Sequence, residues 1–93
     1  MSSTETKTQS LVDKKLSKPY KLILHNDDYN SFEHVIETLV KVCKHELTQA
    51  QHCADRVHVK GFCVVKYGEK ETILQMHKGL NGAGLIATYE IND

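Results

Sequence analysis

The chain has 93 residues, of which 40% are hydrophobic and 26% charged, the composition of an ordinary globular domain whose length limits it to one. Twelve Lys and Arg balance twelve Asp and Glu, so no basic excess marks a nucleic-acid face and no cationic stripe marks a membrane-surface helix. A fold this small buries only about 60% of the surface its unfolded chain exposes, which points to a shallow surface site rather than a large enclosed one.

Residues 1–18, MSSTETKTQSLVDKKLSK, are expected to form a flexible N-terminal extension, because Leu11, Val12 and Leu16 are isolated apolar residues and cannot offset the entropy of ordering. Four lysines against Glu5 and Asp13 give this segment a positive balance. The folded domain is expected over 19–93, starting at the sole proline. From Tyr20, YKLILH alternates Tyr20, Leu22 and Leu24 against Lys21, Ile23 and His25, the period of a strand, and Asn26-Asp27-Asp28 stops it. Asn30 and Glu33 have capping-box spacing, and Phe32, Val35, Ile36, Leu39 and Cys43 follow as a helical stripe. Thr48 with Gln51 repeats the capping signature ahead of a second stripe, Ala50, Cys53, Ala54 and Val57, which Gly61 ends. Phe62 to Tyr67 is a β-rich run closed by Gly68, and a third amphipathic helix is predicted over about Lys70 to Leu80, carrying Ile73, Leu74, His77 and Leu80. Leu85 to Ile91 alternates again, with Leu85, Ala87, Tyr89 and Ile91 on one face. The order β-α-α-β-α-β predicts an α+β fold, a compact three-stranded antiparallel sheet packed with three helices.

Cys43, Cys53 and Cys63 are odd in number, form no C-x-x-C and follow no secretion signal, so they are expected to be buried, reduced thiols in a cytoplasm. No segment approaches the roughly 18 to 20 apolar residues of a membrane span. The acidic turn Asn26-Asp27-Asp28 has two readings. Asn and Asp satisfy their own turn backbone and suit the start of a helix; alternatively their oxygens converge as a receptor for a cation, either a metal or an ammonium group. Calcium fits poorly, since the turn is too short and too poor in oxygens. The six histidines lack the paired spacing of a zinc site, and His52 and Cys53, adjacent on a helix, point about 100° apart. His58 borders the second stripe, either as a structural boundary residue or as one arm of a polar cluster with the acidic turn. No nucleophile setting and no phosphate-binding glycine loop is present, so the chain is not expected to be an enzyme and no cofactor is implied.

Three segments, YKLILHNDDYNSFEHVIETLV, RVHVKG and LIATYE, together resemble the ClpS family of adaptors, which recognise N-terminal degradation signals and deliver their bearers to a Clp-type AAA+ unfoldase and protease. The family's N-D-D-[YF] stands at 26–29, its Glu at 33, its V-I at 35–36 and its V-H-x-x-G at 57–61, so the resemblance spans about residues 19–91. It implies that Asn26, Asp27 and His58 accept the α-amino group of a bound peptide, with Asp28 and Asn30 supporting the site. It further implies a hydrophobic pocket of Leu24, Phe32, Val35, Ala54, Val57 and Leu85 for a first residue that is Leu, Phe, Tyr or Trp, and unfoldase docking through Glu71 and Thr72. The implied partners are N-degron substrates and a ClpA-like or ClpC-like unfoldase in a bacterial cytoplasm, with neither nucleic acid nor membrane. Family members typically carry Thr where Asn30 stands, Met at Phe32, and often Met at Ala54; those Met side chains are what the resemblance implies exclude β-branched Ile and Val. The third-helix region is shorter than usual, and Ile73 replaces an expected Lys.

Overall fold

The computed structural model describes residues 18–93, so the expected extension lies, apart from Lys18, outside the described residues. Six elements follow in the expected order: β1 (Tyr20–His25), α1 (Phe32–Cys43), α2 (Leu47–Lys60), β2 (Phe62–Gly68), α3 (Lys70–Gly82) and β3 (Ile86–Ile91). The sheet has the order β2-β1-β3 with both pairings antiparallel. Placing β1 in the centre explains why its burial is not the half-exposed alternation of an edge strand. Leu22 and Leu24 face the helices and are fully buried, while Ile23 on the other face, flanked by Val64 and Thr88, is only 9% exposed. The core is shared by all elements: Leu22 and Leu24, then Leu39 and Cys43 from α1, Ala50, Cys53 and Val57 from α2, Cys63 and Val65 from β2, Ile73 and Leu80 from α3, and Leu85 with Ala87. All three cysteines are buried and free.

The element ends differ from the sequence expectation for local reasons. Ser31, not Asn30, caps α1, its Oγ accepting from the His34 N–H at 3.1 Å, because the Asn30 side chain is engaged elsewhere. Helix α2 starts before Thr48, with Glu46 in the capping position and no side-chain cap bond. Helix α3 runs two residues past Leu80, and Leu85 is not yet strand: its N–H donates back to the Leu80 carbonyl at 3.1 Å, so pairing with β1 begins at Ile86. The inner face of β3 also fades early. Tyr89 and Ile91 are exposed, Tyr89 packing its ring edgewise on Tyr20 and His77 rather than entering the core.

Candidate functional site

The end of β1 is fastened to the end of α2 by one glycine. Gly61 adopts φ +93°, the left-handed cap a residue with a β-carbon adopts only at a cost; its N–H donates to the Val57 carbonyl at 2.8 Å, and its own carbonyl accepts the Asn26 N–H at 2.9 Å. This closure sets Asn26-Asp27-Asp28 beside the last turn of α2, where His58 stands.

The acidic turn is built around Asp27. Its Oδ1 accepts the backbone N–H groups of Tyr29 and Asn30, each at 2.8 Å, and its Oδ2 accepts from the Asn30 side-chain amide at 3.0 Å. Burial acts to raise the Asp27 pKa, but the bonds from Asn30 and Tyr29 and the nearby His34 outweigh it and hold the carboxyl below the usual 3.8. Asp27 is therefore a fixed carboxylate, with acceptor capacity remaining on Oδ2. The second amide proton of Asn30 goes to the Gly84 carbonyl at 2.9 Å, and His34 Nε2 donates to the Ala83 carbonyl at 2.8 Å. Together these bonds tie the start of α1 to the α3–β3 turn and position Leu85, the next residue along.

A cavity of about 370 Å³ opens at this junction, lined by Leu24, His25, Asn26, Asp27, Asp28, Asn30, Phe32, Val35, Ala54, Val57, His58 and Leu85. All eleven residues assigned from sequence to the amine site, its support and the pocket thus line one cavity. Leu24, Ala54, Val57 and Leu85 form a buried apolar floor. Asn26, Asp28 and His58 are exposed, and the side chains of Asn26 and His58 make no hydrogen bond among the described residues. Phe32 is 47% exposed at the wall, so its face is open to contact. Sequence reasoning missed His25, which lines the cavity while its Nε2 bonds Thr88 Oγ1 at 2.7 Å, and missed His34. The only signal for His25 was its place at the strand end, and nothing local announces a His34 contact 49 residues away.

Glu71 and Thr72 are exposed on the first turn of α3 and do not line this cavity. Thr72 lies against Gly68, which pairs with Tyr20 at the sheet end opposite the His25–Phe62 pairing. Among the described residues no three His, Cys, Asp or Glu side chains gather as a metal set, and no helix is long and apolar enough to cross a membrane.

The family model for the ATP-dependent Clp protease adaptor protein ClpS matches residues 15–88. The ClpS adapter protein of Gloeobacter violaceus is 35% identical over 89 residues, spanning 95% of this chain and 96% of that protein. The chloroplastic adapter protein CLPS1 of Arabidopsis thaliana is 33% identical over 78 residues, covering 83% of this chain, which spans about half (49%) of that longer protein. Among solved structures, Agrobacterium tumefaciens ClpS2 bound to L-phenylalaninamide superimposes with a TM-score of 0.69 at 28% identity, over 80% of this chain and 96% of the other.

Proposed function

The chain belongs to the ClpS family of Clp protease adaptors, and from that membership we propose that it binds proteins through a free N-terminal Leu, Phe, Tyr or Trp and delivers them to a Clp-type AAA+ unfoldase. The observation that carries this reading is the single cavity with an acceptor-rich mouth and an apolar floor. An α-amino group has a pKa of about 7.7 to 8.0 and at neutral pH is largely an ammonium with three donors. Asn26 Oδ1, the Asp27 carboxylate and a His58 ring nitrogen are three acceptors of matching number. An acetylated terminus has neither the charge nor the donors, and leaving such acceptors unpaired and desolvated costs about 1 to 3 kcal/mol per group. The first side chain then enters between Phe32 and the Leu24–Ala54–Val57–Leu85 floor. Burying a Leu or Phe there contributes about 1.5 to 3 kcal/mol, enough with the amine contacts for micromolar affinity. The phenylalaninamide held by the Agrobacterium relative has the same chemistry, a free amine, an aromatic side chain and a blocked carboxyl.

Binding is the whole task of such a site; no bond is made or broken. Delivery assigns the opposite end of the sheet to the unfoldase, since Glu71, Thr72 and the point where the chain enters at Lys18 all lie near the Tyr20–Gly68 pairing.

The test is fluorescence anisotropy with labelled peptides that differ only at residue one, each with free and acetylated termini. Free-amine Leu and Phe peptides bind, their acetylated versions do not, and Asp27→Ala weakens binding at least about tenfold while the chain stays folded by circular dichroism. Equal affinity for free and acetylated termini, or unchanged binding by Asp27→Ala, overturns the reading. Ile and Leu peptides of equal affinity would show that Phe32 and Ala54 no longer exclude β-branched residues.

A further inference from the structure

Strand β2 is an edge of the sheet, and its first half is open. The Gly61 carbonyl, just before it, accepts the Asn26 N–H; since backbone groups alternate sides along a strand, those of Phe62 and Val64 point away from β1. No further strand lies on that side among the described residues, and the Val64 carbonyl meets only the Cys63 thiol, at 3.5 Å. The opening ends at Val65, the extra residue of a bulge, whose carbonyl accepts from His45 Nε2 at 2.7 Å. Beside the open stretch lies a second concavity of about 380 Å³, lined by Arg56, Lys60, Phe62, Cys63, Val64 and Tyr67. Arg56 and Lys60 stand one turn apart on α2, both exposed and neither in an ion pair among the described residues, and Phe62 is half exposed. A strand edge with free donors and acceptors, two unpaired cations and an open aromatic ring are the parts of a site for an extended acidic peptide.

We propose that this edge receives the substrate itself: a stretch a few residues behind its N-terminus pairs with Phe62–Val64 and sets acidic side chains against Arg56 and Lys60. The proposal rests on the first cavity holding a free N-terminus. The two concavities flank the last turns of α2, with Val57 and His58 lining one and Arg56 and Lys60 the other. A helix with its side chains is about 10 Å across and an extended residue spans about 3.3 Å. About three residues therefore cross from the amine site, and positions about 5 to 7 of the substrate reach the edge. The substrate then runs from the Gly61 end of β2 towards Gly68, the direction of β2 itself, so the added pairing is parallel. The charges choose the side chains. The whole chain has a formal charge of zero, so a preference for acidic residues comes from the local pair of cations and not from a general attraction. Exposed ion pairs are individually weak, and two of them side by side make a preference of about fivefold.

Anisotropy with C-terminally labelled peptides on the full chain tests it. All begin with a free Leu and differ only at positions 5 to 7, which are Glu, Ser or Lys. The Glu peptide binds about fivefold tighter than the Ser peptide and the Lys peptide weaker than both, and the differences shrink as salt rises from about 0.05 to 0.5 M. The double variant Arg56→Glu, Lys60→Glu, checked for folding by circular dichroism, loses the preference for Glu while binding the Ser peptide as the wild type does. N-methylation of the backbone at position 6, which removes a donor to the edge, weakens the Glu peptide in the wild type. Equal affinity for the Glu and Ser peptides, or a Glu preference that survives the double variant, overturns this inference and leaves the amine site standing. An acetylated Glu peptide that binds as well as the free one places the acidic partner in trans and overturns the assignment to substrate. Failure of every free-amine Leu peptide to bind overturns the amine site and this inference together.

Discussion

Asn30 joins parts of the chain that are far apart in sequence, one amide proton on Asp27 Oδ2 and the other on the Gly84 carbonyl 54 residues away. Replacing it with alanine leaves Asp27 its two backbone donors, and the Gly84 carbonyl sits at an exposed turn where water can replace the lost bond. Asn30→Ala is therefore expected to lower the unfolding free energy by only about 1 kcal/mol, the scale of one net hydrogen bond. Urea denaturation measures this, and a loss above about 3 kcal/mol would mean that the bridge holds the fold rather than the cavity rim. The role of this residue was legible only in outline. A polar residue ahead of a helical stripe reads as its cap, and Ser31 next to it has the same chemistry; only the approach of the α3–β3 turn decides between them. The eleven cavity residues were assigned through family resemblance, not periodicity. Leu24, Val57 and Leu85 would be apolar as core residues in any case, and burial alone does not distinguish a floor from a core.

Elements were more legible than their ends, because a stripe such as Leu39–Cys43 or Ala50–Cys53–Ala54–Val57 repeats a period many times whereas a cap is a single contact. Two glycines show how little a sequence says about why a residue is small. At Gly61 a β-carbon would meet nothing within 4 Å, and the cost of alanine there is the positive φ alone, about 1 to 2 kcal/mol. At Gly79 in α3 the conformation is ordinary, but a β-carbon would lie 2.9 Å from Val42 Cγ1 on α1. Alanine gains about 1 kcal/mol of helix propensity at that position and loses about 1 to 3 kcal/mol to overpacking between two helices. The clash wins if α1 cannot retreat, and Val42, packed against the core, has little room. Gly79→Ala is thus expected to destabilise, and the double variant with Val42→Ala to recover part of the loss. Additive effects in chemical denaturation would rule out this contact as the cause.

For the molecule as a whole, a formal charge of zero leaves pH stability to the few groups whose titration folding changes. One is His45, only 5% exposed in the turn between α1 and α2, whose Nε2 donates to the Val65 carbonyl at 2.7 Å while its Nδ1 is buried without a partner among the described residues. A proton on Nδ1 would be an unpaired buried donor. Burial therefore lowers the His45 pKa from 6.5, assisted by the Lys66 charge and opposed by the bond to Val65. Above 6.5 both folded and unfolded chains carry the neutral ring; as pH falls through that value the unfolded chain takes up a proton that the folded chain refuses, and stability declines. Asp27, also lowered, adds a second loss in the same direction below 3.8, where the unfolded carboxyl protonates first. The first loss thus sets in near pH 6.5 and the second near 3.8. His45→Gln keeps a donor for Val65 but cannot titrate, and the other five histidines are common to both proteins. The urea midpoint of the wild type should fall between pH 7 and 5, and that of His45→Gln should fall less steeply over the same range. Identical slopes from 7 to 5 would assign the first loss to other histidines.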